Sequence, residues 1–206
     1  LTTRDQLIIR SHDSRGIWVG NRRYRGELRI KFLNQSLYLV NYLGIEKYLA
    51  SVVGSEMPKD WPIEALKAQA IAARTYALKQ KGKLGFYDIR STEASQVYLG
   101  VESENERIDK AVNQTKSLVM KHNGQLINAV FHSSSGGLTE RSEDVWKQQL
   151  PYLVSVVDND HHSPKHRWDL WFTYKDLLRI FPDLKGVKNI GSIKKYAKAS
   201  KSKINK

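Results

Sequence analysis

Gly54-Ser55-Glu56-Met57-Pro58-Lys59-Asp60-Trp61-Pro62, running on into Ile63-Glu64-Ala65-Leu66-Lys67-Ala68-Gln69-Ala70, is where the chain passes from one helix to the next. Upstream, Ile45, Leu49, Val52 and Glu56 recur at i, i+4, i+7 and i+11, so the apolar stripe of a short helix ends on a carboxylate. Gly54 and Pro58 predict that this helix frays or stops there. Pro62 suits the first turn of the following helix, with Asp60 or Trp61 near its cap. Ile63, Leu66, Ala70, Ala73 and Ala77 form the buried face of that helix, Lys67 and Arg74 lie two turns apart along one side, and Lys81-Gly82 marks its end. One acid against the apolar wall of Val52 and Val53, beside two cations on a fixed helix, suits proton transfer. The competing reading, equally weighted on spacing alone, is a helix-terminal Glu56 paired structurally with Arg74.

Working outward, Leu28, Ile30 and Phe32 alternate with Arg29 and Lys31 as a half-buried strand, Asn34-Gln35 makes a turn, and Leu37-Tyr38-Leu39-Val40 returns. Glu104 to Val112 reads as a helix. Ser117 to Met120 and Gln125 to Phe131 read as strands joined by His122-Asn123-Gly124, and Asn-Gly is the strongest short hairpin signal. Phe131-His132-Ser133-Ser134-Ser135-Gly136-Gly137 then leaves as a loop, and Asp176 to Ile180 is a short helical stretch. There is no internal repeat. The expected fold is α+β, a mixed sheet and hairpins with a central helix after Pro62, in a single domain forming a cleft over residues 26–190. Residues 1–25, polar and weakly periodic with Arg22, Arg23 and Arg25 clustered, read as an N-terminal extension. Residues 191–206 read as a flexible lysine-rich tail.

The 206 residues are enough for a sizeable core, and the chain contains no run of eighteen apolar residues. It starts at Leu1 without a signal-peptide pattern, so it is expected to be a mature or trimmed piece from which any export signal or anchor has been removed. The absence of cysteine excludes disulfides, thiolate zinc sites and cysteine nucleophiles. A net charge of +13, from 34 Lys and Arg against 21 Asp and Glu, favours a polyanionic partner: nucleic acid, anionic lipid or an anionic cell wall. No glycine-rich phosphate loop, HExxH or helix-turn-helix signature is present. A nucleic-acid role would rest on net charge alone, and none is expected.

Glycoside hydrolysis ordinarily needs two carboxylates. Glu64, Glu93 and Asp88 each have an easy surface explanation, which leaves Glu56 as the one candidate. A single carboxyl suffices when a hydroxyl of the substrate itself closes onto the anomeric carbon, so the pattern favours a lyase over a hydrolase. The loop at Ser133, Ser134 and Ser135, with His132 and two glycines, suits sugar hydrogen bonding. It lacks the Gly-x-Ser-x-Gly elbow of a serine hydrolase. Asp158-Asn159-Asp160-His161-His162 with His166 is loosely spaced and reads as an exposed loop, so neither a metal nor another cofactor is expected. Among Trp61, Tyr76, Tyr98, Trp146 and Tyr152, one or two are expected to line a site.

Glu56-Met57-Pro58, Trp61-Pro62-x-Glu64-Ala65-Leu66-Lys67-Ala68-Gln69-Ala70, Ala72-Ala73-Arg74-Thr75-Tyr76-Ala77, Ser95-Gln96-Val97-Tyr98-x-Gly100, the loop from Phe131 to Glu140, Glu143-Asp144-Val145-Trp146 and Pro151-Tyr152-Leu153 together resemble the SpoIID family. That family comprises the sporulation protein and the related amidase enhancer. The resemblance covers roughly residues 28–160. It implies an extracytoplasmic lytic transglycosylase that cuts peptidoglycan between N-acetylmuramic acid and N-acetylglucosamine, leaves a 1,6-anhydro end and prefers peptide-stripped strands. It implies Glu56 as the catalytic residue and a substrate-cleft role for Lys67 and Arg74; Tyr76, Gln96, Tyr98, His132, Ser133, Ser134, Ser135 and Trp146 are also expected to bind saccharide. The partners it implies are glycan strands and a cell-wall amidase. The alternative is a non-catalytic, wall-binding enhancer of such an amidase. The chain departs from the family in two ways: it has no cysteine for a structural zinc, and it lacks the C-terminal Gly-His-Gly-x-Gly-x-Ser-Gln segment.

Overall fold

The computed structural model describes residues 6–186 apart from 165, 168 and 170; the tail expected at 191–206 lies outside the described residues. The architecture is α+β, as the sequence predicts, and the chain divides into two compact units, 1–131 and 132–206.

In the first unit, β1(Gln6–Arg10), β4(Glu27–Leu33) and β5(Ser36–Tyr42) form an antiparallel sheet in the order β1-β4-β5. Leu33 pairs with Ser36, so Asn34-Gln35 is a two-residue loop, and both residues have positive φ (49° and 60°) as a hairpin turn of this length demands. The residues before 26, read as a weakly periodic extension, instead supply β1 to this sheet and a separate hairpin of β2(Ile17–Val19) and β3(Arg22–Tyr24). Strands of three to five residues are too short to show a period.

Three helices make the core: α1(Ile45–Glu56), α2(Ile63–Gln80) and α3(Glu106–Gln114). Leu49, Val52, Val53, Leu66, Ala70, Ala73, Ile108, Ala111 and Val112 pack together, joined by Tyr98. Each fully buried Leu, Val or Ile contributes about 1.5–3 kcal/mol. Pro62 is itself the N-cap of α2, and neither Asp60 nor Trp61 supplies a side-chain cap. Gly54 lets α1 approach the 3-10 turn Val101–Ser103, because a Cβ there would meet the Ser103 carbonyl oxygen at 1.9 Å. The hairpin at Asn123-Gly124 forms, with φ of 48° and 76°, but its strands are only β6(Lys121–His122) and β7(Gln125–Leu126). Residues 117–120 are not a strand, and Ser117 lies at φ 63°.

The second unit holds α4(Ser142–Trp146), α5(Tyr174–Ile180) and an isolated antiparallel bridge between Leu138 and Val157. Thr173 caps α5 in a reciprocal pair with Asp176. The buried Ser142 hydroxyl accepts the Leu150 N–H at 2.8 Å, which folds the chain after α4 back on its start.

Candidate functional site

Glu56 is the last residue of α1 and half-buried. Met57 leaves the helix in extended conformation, and Pro58 follows, so the chain turns away and the carboxylate stays at the helix end. Its Oε1 accepts the Val97 N–H at 2.7 Å. Among the described residues, no donor is hydrogen-bonded to Oε2 and no cation pairs with Glu56. The carboxylate is thus oriented by one backbone dipole.

What fixes Val97 is the segment 95–103, a strap tied across α1 and α2. Gln96 is fully buried; its Nε2 donates to the Ala73 carbonyl at 3.3 Å and its Oε1 accepts from the Tyr48 hydroxyl at 3.1 Å. The Tyr98 hydroxyl donates to Asn41 Oδ1 at 2.5 Å. The Gly100 N–H donates to Ser51 Oγ at 2.9 Å, which in turn shares a hydrogen bond with Ser103 Oγ at 2.9 Å. Burial pushes both the Tyr48 and the Tyr98 hydroxyl well above the usual tyrosine range. At Tyr48 the neighbouring Tyr98, Tyr76 and Glu56 reinforce the effect. Both phenols stay protonated and serve as donors.

Three of the expected substrate contacts are buried. Gln96 and Tyr98 have their polar atoms engaged by groups of the protein itself, and Tyr98 keeps 7% of its surface. Arg74 is only 1% exposed. Its guanidinium pairs with Glu46, at 3.1 Å through Nε and 2.7 Å through the terminal nitrogen, and donates to the carbonyls of Leu118 at 3.2 Å and Val112 at 3.3 Å. Arg74 thus pairs with the first turn of α1 and not with Glu56, which removes the structural pairing that competed with a chemical role. Lys67 is different. It makes an i,i+3 pair with the exposed Glu64 at 2.7 Å, a contact worth roughly 0–1 kcal/mol that a ligand can displace. Tyr76 is half-buried.

His132, Ser133, Ser134 and Ser135 lie in the second unit, with His132 and Ser133 exposed. Asp160 organises the loop. Its Oδ2 accepts the Ser134 hydroxyl and the N–H groups of Ser135 and Gly136 at 2.8 and 2.9 Å, and its Oδ1 meets His166 Nδ1 at 2.8 Å. The Ser134 hydroxyl, above all, holds the Asp160 carboxyl far below its usual range; His166 and the two N–H groups add to this, and partial desolvation opposes it. The Ser135 hydroxyl donates to Asp158 at 2.8 Å. A serine, a histidine and an aspartate are therefore connected, but with the carboxylate in the middle. A hydrolytic triad needs the imidazole between the other two, so this cluster is a loop anchor. The sequence reading placed Asp160 and His166 in a loosely spaced metal candidate; the anchoring partner, Ser134, lies 26 residues upstream. Among the described residues no three His, Cys, Asp or Glu side chains are grouped to hold a metal. His161, Ser163, His166 and Arg167 line an open hollow of about 340 Å³. Trp146, at the end of α4, is 53% exposed.

The frame of α1, α2 and strap lies within the segment that a family model matches. The model of the SpoIID family, described as Stage II sporulation protein, matches residues 33–122, and over this segment the chain is similar to that family. The chain is 35% identical over 178 residues to an uncharacterized protein of Brachyspira hyodysenteriae, covering 84% of this chain and 48% of that one. It is 44% identical over 129 residues to the Amidase enhancer of Bacillus subtilis, covering 63% of this chain and 17% of the relative. With Stage II sporulation protein D of Bacillus subtilis it shares 35% identity over 181 residues, covering 77% of this chain and 50% of the relative. The chain thus spans about half the length of these relatives, or less. Among the described residues no helix is long and apolar enough to cross a membrane.

Proposed function

We propose that this protein cleaves peptidoglycan glycan strands as a lytic transglycosylase outside the cytoplasm, with Glu56 as the single acid/base. The observation that carries the reading is the state of that carboxylate: fixed on one oxygen by the Val97 N–H, without a hydrogen bond to the other, and unpaired with any cation among the described residues. Protonated Glu56 gives its proton to the glycosidic oxygen as the C1–O bond breaks. The resulting carboxylate takes the proton of the muramic C6 hydroxyl, whose oxygen attacks C1 of the same sugar. The product is a 1,6-anhydro ring, with no water consumed. Lys67, Tyr76, His132, Ser133 and Trp146 have the exposure needed to contact saccharide, whereas Ser134 and Ser135 act through the loop they hold.

The test is mass spectrometry of soluble products from peptide-stripped glycan strands. Wild type is expected to release anhydro-ended saccharides. Glu56→Gln is expected to lose activity by a factor on the order of 10²–10⁴. Near-wild-type rates from Glu56→Gln would remove Glu56 from the role, and reducing ends would mean hydrolysis. A second reading, stimulation of a cell-wall amidase without cleavage, is supported by the relative named Amidase enhancer. It predicts sacculus binding and faster amidase turnover with no products from the protein alone.

A further inference from the structure

The β2–β3 hairpin lies outside the segment matched by the family model, and it presents Trp18 at 62% exposure. An exposed apolar side chain is ordinary in itself. This one is held. Its cross-strand partner Arg23 sets a guanidinium 5.1 Å from the ring centroid. Arg23 is fixed in turn, because its Nε donates to Glu102 Oε1 at 2.8 Å and its backbone N–H donates to Glu102 Oε2 at 2.9 Å. Gly20, at φ 61°, tightens the turn between the two strands. The indole is therefore backed by a pinned cation and loses little rotamer freedom when it meets a ligand.

The position of the hairpin gives this platform its meaning. Glu102 belongs to the 3-10 turn that ends the strap. Gly100 of the strap abuts β3 so closely that a Cβ would lie 2.1 Å from the Arg23 carbonyl oxygen, and the rings of Tyr24 and Tyr98 pack at 5.7 Å. One segment thus carries both the Val97 N–H that orients Glu56 and the anchor that holds Trp18. The other exposed residues of the hairpin, Gly20, Asn21 and Arg22, present no apolar side chain. A protein partner would need a broad apolar patch, whereas a lone aromatic face among polar groups matches a single pyranose, whose apolar C–H face complements the negative face of an indole.

We infer that Trp18 is a stacking subsite for one sugar ring of the glycan strand, held in fixed relation to Glu56 by the strap. The inference rests on the glycan-cleaving reading of Glu56, and the experiment separates the two. Binding of peptide-free glycan strands is measured calorimetrically on the Glu56→Gln protein, with and without Trp18→Ala and Trp18→Tyr. Trp18→Ala is expected to weaken binding on the order of 3- to 10-fold, and Trp18→Tyr to restore most of it. With Glu56 intact, Trp18→Ala should lower kcat/KM mainly through a raised KM. Equal affinity for all three proteins overturns the stacking subsite, while the product analysis above judges Glu56 independently. Loss of binding that Trp18→Tyr does not restore also overturns it, since a stacked ring needs only an aromatic face. No binding by the parent protein overturns the subsite and the glycan reading together.

Discussion

Replacing Arg74 with alanine asks whether this residue holds the fold or the substrate. The structure gives it one carboxylate partner, Glu46, and at least two carbonyl partners, all reached by a side chain that is 1% exposed. Removing one member of a buried ion pair ordinarily costs about 3–5 kcal/mol, because the other charge is left without compensation. Glu46 keeps 24% of its side-chain surface, so water can partly recover it. The expected loss is therefore near the low end, about 3 kcal/mol, against a total stability on the order of 5–15 kcal/mol. In a chain of this size that lowers the melting temperature by roughly 6–12 °C. Urea denaturation followed by circular dichroism measures it directly, and Arg74→Met with Glu46→Leu should recover part of the loss by removing both charges. A fall below about 1 kcal/mol in Arg74→Ala, accompanied by a large rise in KM, would refute the structural assignment and return Arg74 to the substrate.

Gly54→Ala places a methyl group 1.9 Å from the Ser103 carbonyl oxygen, a backbone atom that cannot step aside alone. Thermal melting should show a cost of at least about 1–3 kcal/mol, and activity should fall as the strap is displaced from Glu56. Asp160→Asn should relax the serine loop, which limited proteolysis between 132 and 137 would detect. Because the native Asp160 carboxyl titrates below its unfolded value, its contribution is fully present above about pH 4 and fades as pH falls towards the native value. The melting difference between wild type and Asp160→Asn should accordingly be constant from pH 5 to 7 and shrink below pH 4. Lys67→Ala should leave stability within about 1 kcal/mol, and a raised KM would place the ammonium on the substrate.

Local signals were readable where their causes are local. The stripe Ile45, Leu49, Val52, Glu56 delivered α1 to its last residue, and the paired hairpin residues at 34–35 and 123–124 formed the turns their positive φ requires. The sequence is silent where partners are distant. Arg74, Gln96 and Tyr98 look like ligand-seeking polar residues in a linear chain. Each is buried because Glu46, Ala73 and Asn41 satisfy it across 28, 23 and 57 residues. A family signature marks positions that matter and does not say whether they touch the substrate or hold the residue that does. Glu56 was visible as an acid on an apolar stripe. Its orienting donor was not, since a backbone N–H carries no side-chain signature.

The Glu56–Val97 hydrogen bond closes a span of 41 residues. Without it, α1 would hold the acid in place but leave it unaimed. On the proposed role of Glu56, opening of residues 95–103 removes that aim, and the hydrogen-exchange protection of the Val97 amide measures the fraction of molecules in which the carboxylate is held.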